Sequence, residues 1–121
     1  MKNKFLGLIL VSIFALTACN TAATADVSNA SIKKIINNPD VTLVDVRTPE
    51  QFAGGSANNA INVPLAEIIN NPTSLKGKKV VVFCNKGIQA DEAVKILKKN
   101  GVEVYDGTSW KNVKGIQDSS L

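Results

Sequence analysis

The 121-residue chain contains no histidine. That absence excludes a cysteine–histidine nucleophilic pair, and with it a histidine-rich metal site. Cysteine is nearly as scarce: Cys19 and Cys84 are the only two. They form no Cys-x-x-Cys pair, so a thioredoxin-like dithiol fails on that count. The apolar run from Phe5 to Leu16 is too short to span a bilayer as a helix. There is no internal repeat, and the lysines are scattered, as solvated faces require, so nucleic acid is not an expected partner.

The N-terminus carries its own pattern. Lys2 and Lys4 precede the apolar run, and Leu16-Thr17-Ala18-Cys19 follows it. A basic start, a short apolar segment and small residues before a cut describe a secretory signal. Leu-Thr-Ala-Cys also resembles the bacterial lipobox, where cleavage precedes a cysteine that is then acylated. This implies a signal peptide over residues 1–18 and lipidation of Cys19; several acyl chains on one residue suffice for stable anchoring. An ordinary signal cut near Ala18 or Ala25, or a plain hydrophobic anchor, is the competing reading. The expected location is the periplasmic side of a bacterial membrane, or the cell surface where there is one membrane. Asn20 is not the aspartate associated with inner-membrane retention. Residues 19–30 are small and polar and read as a flexible tether, leaving residues 31–121 as one small domain. The leader holds two of the 14 basic residues and none of the 10 acidic ones. That leaves 12 against 10, a net charge of +2.

With Cys19 acylated, Cys84 is a lone thiol in an oxidising compartment, and its placement is informative. Lys79 to Phe83 is β-branched and apolar, a strand pattern. Beyond Cys84, helical spacing takes over: Ala90, Ala93, Val94 and Leu97 fall at i, i+3, i+4 and i+7. Cys84 therefore ends a strand, and Asn85 to Gln89 are expected to form a tight loop into a helix. Ligands of α/β sheets bind at the carboxyl ends of strands. A helix N-terminus favours an anion there by roughly 0.3–1 kcal/mol, and by up to about 2 when partly buried. The position suits a thiolate and a small anionic substrate. The bland alternative is a small, inert, buried cysteine.

The remaining elements alternate. A short helix carrying Ile32, Ile35 and Ile36, capped by Ser28 or Ser31, stops at Asn37-Asn38-Pro39. Val41–Val46 is a strand with Asp45 and Arg47 at its carboxyl end. Thr48-Pro49-Glu50 starts a helix with proline at its first position. Ile61–Val63 is a short strand, and Pro64 opens a helix around Leu65, Ile68 and Ile69. Gly101 ends the helix after Cys84, Val102–Tyr105 is a last strand, and Gly107–Trp110 a turn. The expectation is an α/β fold with a mainly parallel central sheet flanked by helices.

Three blocks in order carry a family resemblance: Asp45-Val46-Arg47-Thr48-Pro49-Glu50-Gln51-Phe52, Ala60-Ile61-Asn62-Val63-Pro64-Leu65, and Val82-Phe83-Cys84-Asn85-Lys86-Gly87. From about Ile32 to Trp110 the chain resembles the single-domain rhodaneses, in particular the exported phage-shock type of sulfurtransferase. The resemblance implies a three-layer fold, no cofactor and no metal. It implies that Cys84 takes sulfur from a donor such as thiosulfate as a persulfide and passes it to a thiol or cyanide. Backbone N–H groups from Asn85 to Ala90 would serve as an anion nest, with Gly87 allowing the tight turn. Lys86 is the loop's one cationic side chain, an anion attractor or else a solvated surface lysine. Asn85 and Gln89 read equally as turn and cap residues. Asp45, Arg47 and Glu50 read as structural, with an Arg47–carboxylate pair fixing the neighbouring strand. A monomer is expected.

Departures from the family pattern are concentrated at the loop. Asn85, Ile88 and Gln89 occupy positions where relatives carry arginine, the histidine after the first block is replaced by Gly55–Asn59, and the late double glycine is interrupted as Gly107-Thr108-Ser109. Two other readings follow. One is a slow persulfide carrier or partner-binding module. The other is a cysteine-based phosphatase or arsenate reductase, which needs a wider loop and an arginine where Ala90 stands.

Overall fold

Strand β3 (Lys79–Cys84) is the centre of the computed structural model, which describes residues 29–119. Val80 through Cys84 are all buried. The run is apolar on both alternating faces because helices cover both sides of the sheet. Strand β1 (Val41–Asp45) pairs with it in parallel, from Val41 opposite Lys79 to Asp45 opposite Phe83. Strand β4 (Glu103–Ser109) lies parallel on the other side, and the two-residue β2 (Ile61–Asn62) extends the sheet beyond β1. The order is β2-β1-β3-β4. The three-layer arrangement expected of the sequence is the one observed.

Alternation along β3 divides the core. Val80, Val82 and Cys84 face Ile68 of α3 (Leu65–Asn70) and Ala90, Ala93 and Leu97 of α4 (Ile88–Lys99). Val81 and Phe83 face Ile32 of α1 (Asn29–Ile35) and Val113 and Ile116 of α5 (Trp110–Ser119). Leu97 is wholly buried, and burying such a side chain contributes roughly 1.5–3 kcal/mol. Helix α4 ends as its sequence promises. Gly101 has φ +80°, and the Gly101 and Val102 N–H groups return to the Lys98 and Leu97 carbonyls. The short α2 (Pro49–Ala53) has proline at its start and a reciprocal cap between Thr48 and Gln51.

The structure departs from the sequence reading at several element ends: β1 stops at Asp45, short of Val46, and Ser31 lies inside α1 rather than capping it. Helix α4 begins at Ile88, so Ile88 and Gln89 belong to its first turn and the loop is only Asn85 to Gly87. Strand β2 stops at Asn62. Helix α1 starts at Asn29, inside the stretch read as tether. The largest difference is at the C-terminus, where Gly107–Trp110 is not a turn. Strand β4 runs on to Ser109, and Trp110 opens α5. A bulge allows this: Val82 pairs with Asp106 but Phe83 pairs with Thr108, leaving Gly107 as the extra residue. The leader, Cys19 and the tether up to residue 28 lie outside the described residues.

Gly107 is needed at the bulge for room. A Cβ there would lie 2.9 Å from both Val113 Cγ2 and Val81 Cγ1, and 3.1 Å from the Val82 carbonyl oxygen. Gly107→Ala is expected to lower the unfolding free energy in urea by about 1–3 kcal/mol, the usual cost of overpacking.

Candidate active site

Cys84 ends β3 and is 2% exposed. Its Sγ accepts hydrogen bonds from the Gly87 N–H at 3.0 Å and the Ala90 N–H at 3.4 Å. On its other side the Thr108 carbonyl oxygen lies 3.7 Å away, where a thiol S–H donates to it. The chain turns from strand to helix across three residues, which Gly87 permits with φ +102°. That conformation aims the Gly87 N–H back at the sulfur that precedes it. Two amides on one sulfur, at a helix N-terminus, favour negative charge there.

The loop's side chains line the approach. Cys84, Asn85, Lys86, Ile88 and Gln89 surround an open pocket of about 270 Å³, with Cys84 the buried member. Lys86 is exposed and is the only cation among these residues. Ile88 is 77% exposed, a large apolar side chain at the pocket mouth. Ala90 is buried and contributes its N–H. Two larger hollows, of about 450 and 430 Å³, lie at the opposite, amino end of the strands and do not include Cys84.

Asp45 and Arg47 lie beneath the site as one buried unit. Arg47 Nε donates to Asp45 Oδ1 and Oδ2 at 3.0 and 3.1 Å, and the terminal guanidinium Nη2 donates to Oδ2 at 2.7 Å. The Ser56 hydroxyl and the Arg47 backbone N–H satisfy the same carboxylate. Arg47 also donates to the Gly55 carbonyl and stacks 5.2 Å from the Trp110 ring. Among the described residues neither is hydrogen-bonded to Cys84; through Trp110 the pair holds the end of β1 against the β4–α5 junction. Glu50 lies apart, exposed on the first turn of α2. The carboxylate that binds Arg47 is that of Asp45.

Thr108 is the site residue that sequence reasoning misses. It adopts φ +64°, a left-handed conformation that a β-branched residue rarely takes. Its N–H donates to Asp106 Oδ1 at 2.8 Å and its hydroxyl to the Gly107 carbonyl at 2.7 Å. These bonds point its carbonyl at the sulfur. The broken double glycine at Gly107-Thr108 was the available signal, since the second position is left-handed.

The family model described as "Rhodanese-like domain" matches residues 28–113. The chain belongs to that family. It is 35% identical over 81 residues to "Thiosulfate sulfurtransferase PspE" of Escherichia coli (strain K12), covering 64% of this chain and 73% of that one. The crystal structure of a rhodanese-related protein from Thermoplasma volcanium superposes with a TM-score of 0.59 at 27% identity, covering 76% of this chain and 89% of the other. A structure described as "rhodanese with anions from E. coli" gives a TM-score of 0.51 at 34% identity, over 60% and 89% of the two chains. The chain spans 52%, 30% and 14% of the length of three other curated relatives it matches.

A left-handed β-branched residue stores of the order of 1–3 kcal/mol, against which glycine loses roughly 0.5–1 kcal/mol in chain entropy. Thr108→Gly is therefore expected to raise the unfolding free energy by about 1 kcal/mol, read from the urea midpoint at unchanged slope.

Proposed function

We propose that the protein is a thiosulfate sulfurtransferase that works through a persulfide on Cys84. The observation that carries this reading is the sulfur itself: buried, held by the Gly87 and Ala90 N–H groups, and reached through one small pocket. The Cys84 thiolate attacks the outer sulfur of the donor. The donor's S–S bond breaks, its electron pair leaves with sulfite, and Cys84 carries the terminal sulfur as an anionic persulfide. A thiolate or cyanide then attacks that terminal sulfur. The new persulfide or thiocyanate departs, and the Cys84 thiolate is restored. Each step moves negative charge between atoms that face the first turn of α4, where N–H groups have no partner within the helix. Lys86, at the pocket wall, draws the anionic donor in and holds the leaving anion.

The proposal extends to location. The lipobox-like Leu-Thr-Ala-Cys and the polar stretch after it support a lipoprotein acylated on Cys19, with the domain tethered outside the cytoplasm.

A second reading has its own observation. Ile88 is exposed at the pocket mouth, and one ammonium is the whole cationic complement of the loop. That composition also fits a slow persulfide carrier that docks a partner. Cys84→Ser separates the two, since a docking module keeps its partner without the thiol.

Incubating the soluble domain (residue 26 onward) with thiosulfate is expected to add the mass of one sulfur atom, discharged by cyanide and absent in Cys84→Ser. No gain from folded protein whose thiol still alkylates would remove thiosulfate as the donor. Lys86→Ala is expected to raise KM for thiosulfate several-fold with little change in thermal stability, because an exposed ammonium contributes up to about 1 kcal/mol; an unchanged KM would remove Lys86 from the site.

A further inference from the structure

The lysines look scattered in sequence, yet the fold gathers them at the end of the sheet opposite Cys84. In a parallel sheet each crossover helix runs back against its strands, so first turns lie at the carboxyl rim and last turns at the amino end. The last turn of α4 carries Lys98 and Lys99, and that of α1 carries Lys33 and Lys34. Three first turns carry acids instead: Glu50 on α2, Glu67 on α3 and Asp91 on α4. Charges placed this way complement each helix dipole, and that alone would account for them. It does not account for Lys76, Lys78 and Lys79, which belong to no helix and lead into β3. The Lys76 Cε lies 3.4 Å, and its Nζ 3.9 Å, from the place a Cβ on Gly101 would occupy, so this turn packs on the C-terminus of α4. Lys79 Nζ lies 3.9 Å from a Glu103 carboxylate oxygen, from β3 to β4. Lys33, Lys34, Lys76, Lys78, Lys98 and Lys99 are all exposed. The acids at this end are Asp40 and Glu103, with Asp118 near the end of α5 beside Lys114.

We propose that this lysine-rich amino end is a docking surface for the anionic headgroups of a membrane, and that it holds the Cys84 rim facing away from the bilayer. The inference rests on the tethered-lipoprotein reading, which puts a membrane within reach. Residues 19–28 span at most roughly 33–36 Å when extended. That exceeds the ~10 Å length of α1, which they must pass to bring the amino end to the surface. Beyond the leader the chain has 12 basic and 10 acidic residues, and a net charge of +2 spread evenly would bind an anionic surface weakly. Gathering the lysines at one end changes that, because each one within a Debye length of such a surface, about 8–10 Å, adds to the attraction. The tether keeps the local concentration high, so a weak contact suffices. The same surface repels the acids of the carboxyl rim. Attraction at one end and repulsion at the other set a single orientation. Cys84 lies five residues along β3 from Lys79, about 17 Å at ~3.3 Å per residue. Its pocket therefore stays open to soluble donors and acceptors.

The test uses the chain from residue 19 with Cys19→Ser, so that no acyl group contributes. Every residue of the two apolar clusters lies between Ile32 and Ile116, so the leader is not needed to build the core. At low salt this chain is expected to sediment with mixed vesicles of phosphatidylglycerol and phosphatidylcholine but not with phosphatidylcholine alone, and to be released as salt rises. Lys76→Gln, Lys78→Gln and Lys99→Gln together are expected to weaken partitioning roughly a hundredfold, at about fivefold per lysine. Lys86→Gln, Lys95→Gln and Lys111→Gln together give the same net charge and are expected to leave partitioning nearly unchanged. Iodoacetamide is expected to alkylate Cys84 at the same rate on vesicles as in solution. The proposal would be overturned by retention on heparin without vesicle binding, by no binding to either, by equal loss in the two triple variants, or by protection of Cys84. An unacylated Cys19 in the full-length protein would instead refute the lipoprotein reading and leave the vesicle result as it stands.

Discussion

The constraint on which the rest depends is the reversal of the chain at Cys84. A strand buried on both faces must become a surface helix within Asn85, Lys86 and Gly87. Only a left-handed residue makes the turn that tight while returning its N–H to the sulfur. The same turn sets the start of α4 and hence places the Ala90 N–H. It also brings the loop against β4, where the Cβ of Thr108 lies 3.8 Å from the place a side chain on Gly87 would occupy. Sheet, helix and nucleophile are thus one local decision. The parallel sheet makes that decision useful, because every strand delivers its carboxyl end to the same rim.

The Asp45–Arg47 pair does for the neighbouring strand what the glycine turn does for β3. Removing charges from water costs several kcal/mol per ion, so a buried pair is retained only when its hydrogen bonds are complete. Here they are: the carboxylate takes Arg47 Nε and Nη2, the Arg47 backbone and the Ser56 hydroxyl, while the guanidinium also reaches the Gly55 carbonyl and the Trp110 ring. One ion pair therefore ties the end of β1, the Gly55–Ser56 corner and the start of α5. Those three segments share no secondary structure, and a purely apolar contact would hold them with far less angular definition. The pair thereby fixes the β4–α5 junction next to Thr108.

Much of this was legible in the chain because periodicity and caps are local. The change from β-branched alternation to helical spacing placed Cys84 at a strand end just before a helix, and Thr48-Pro49 and Gly101 marked helix ends, all of which the structure bears out. What escaped depends on tertiary contacts. Helix α5 has a usable stripe in Val113, Ile116 and Gln117, yet Gly107-Thr108-Ser109 reads as a turn until the bulge against Val82 and Phe83 is seen. Ile88 reads as loop because its apolar side chain faces solvent and breaks the stripe.

A division of labour within the site follows from which atoms reach the sulfur. Sγ is held by backbone groups alone: two amides and a carbonyl. Those survive any side-chain substitution at Asn85, Lys86, Ile88 or Gln89 that leaves the turn intact. Lys86 and Ile88 meet whatever enters the pocket, one attracting charge and the other offering apolar surface. The groups that hold the sulfur are therefore independent of the side chains that line its approach.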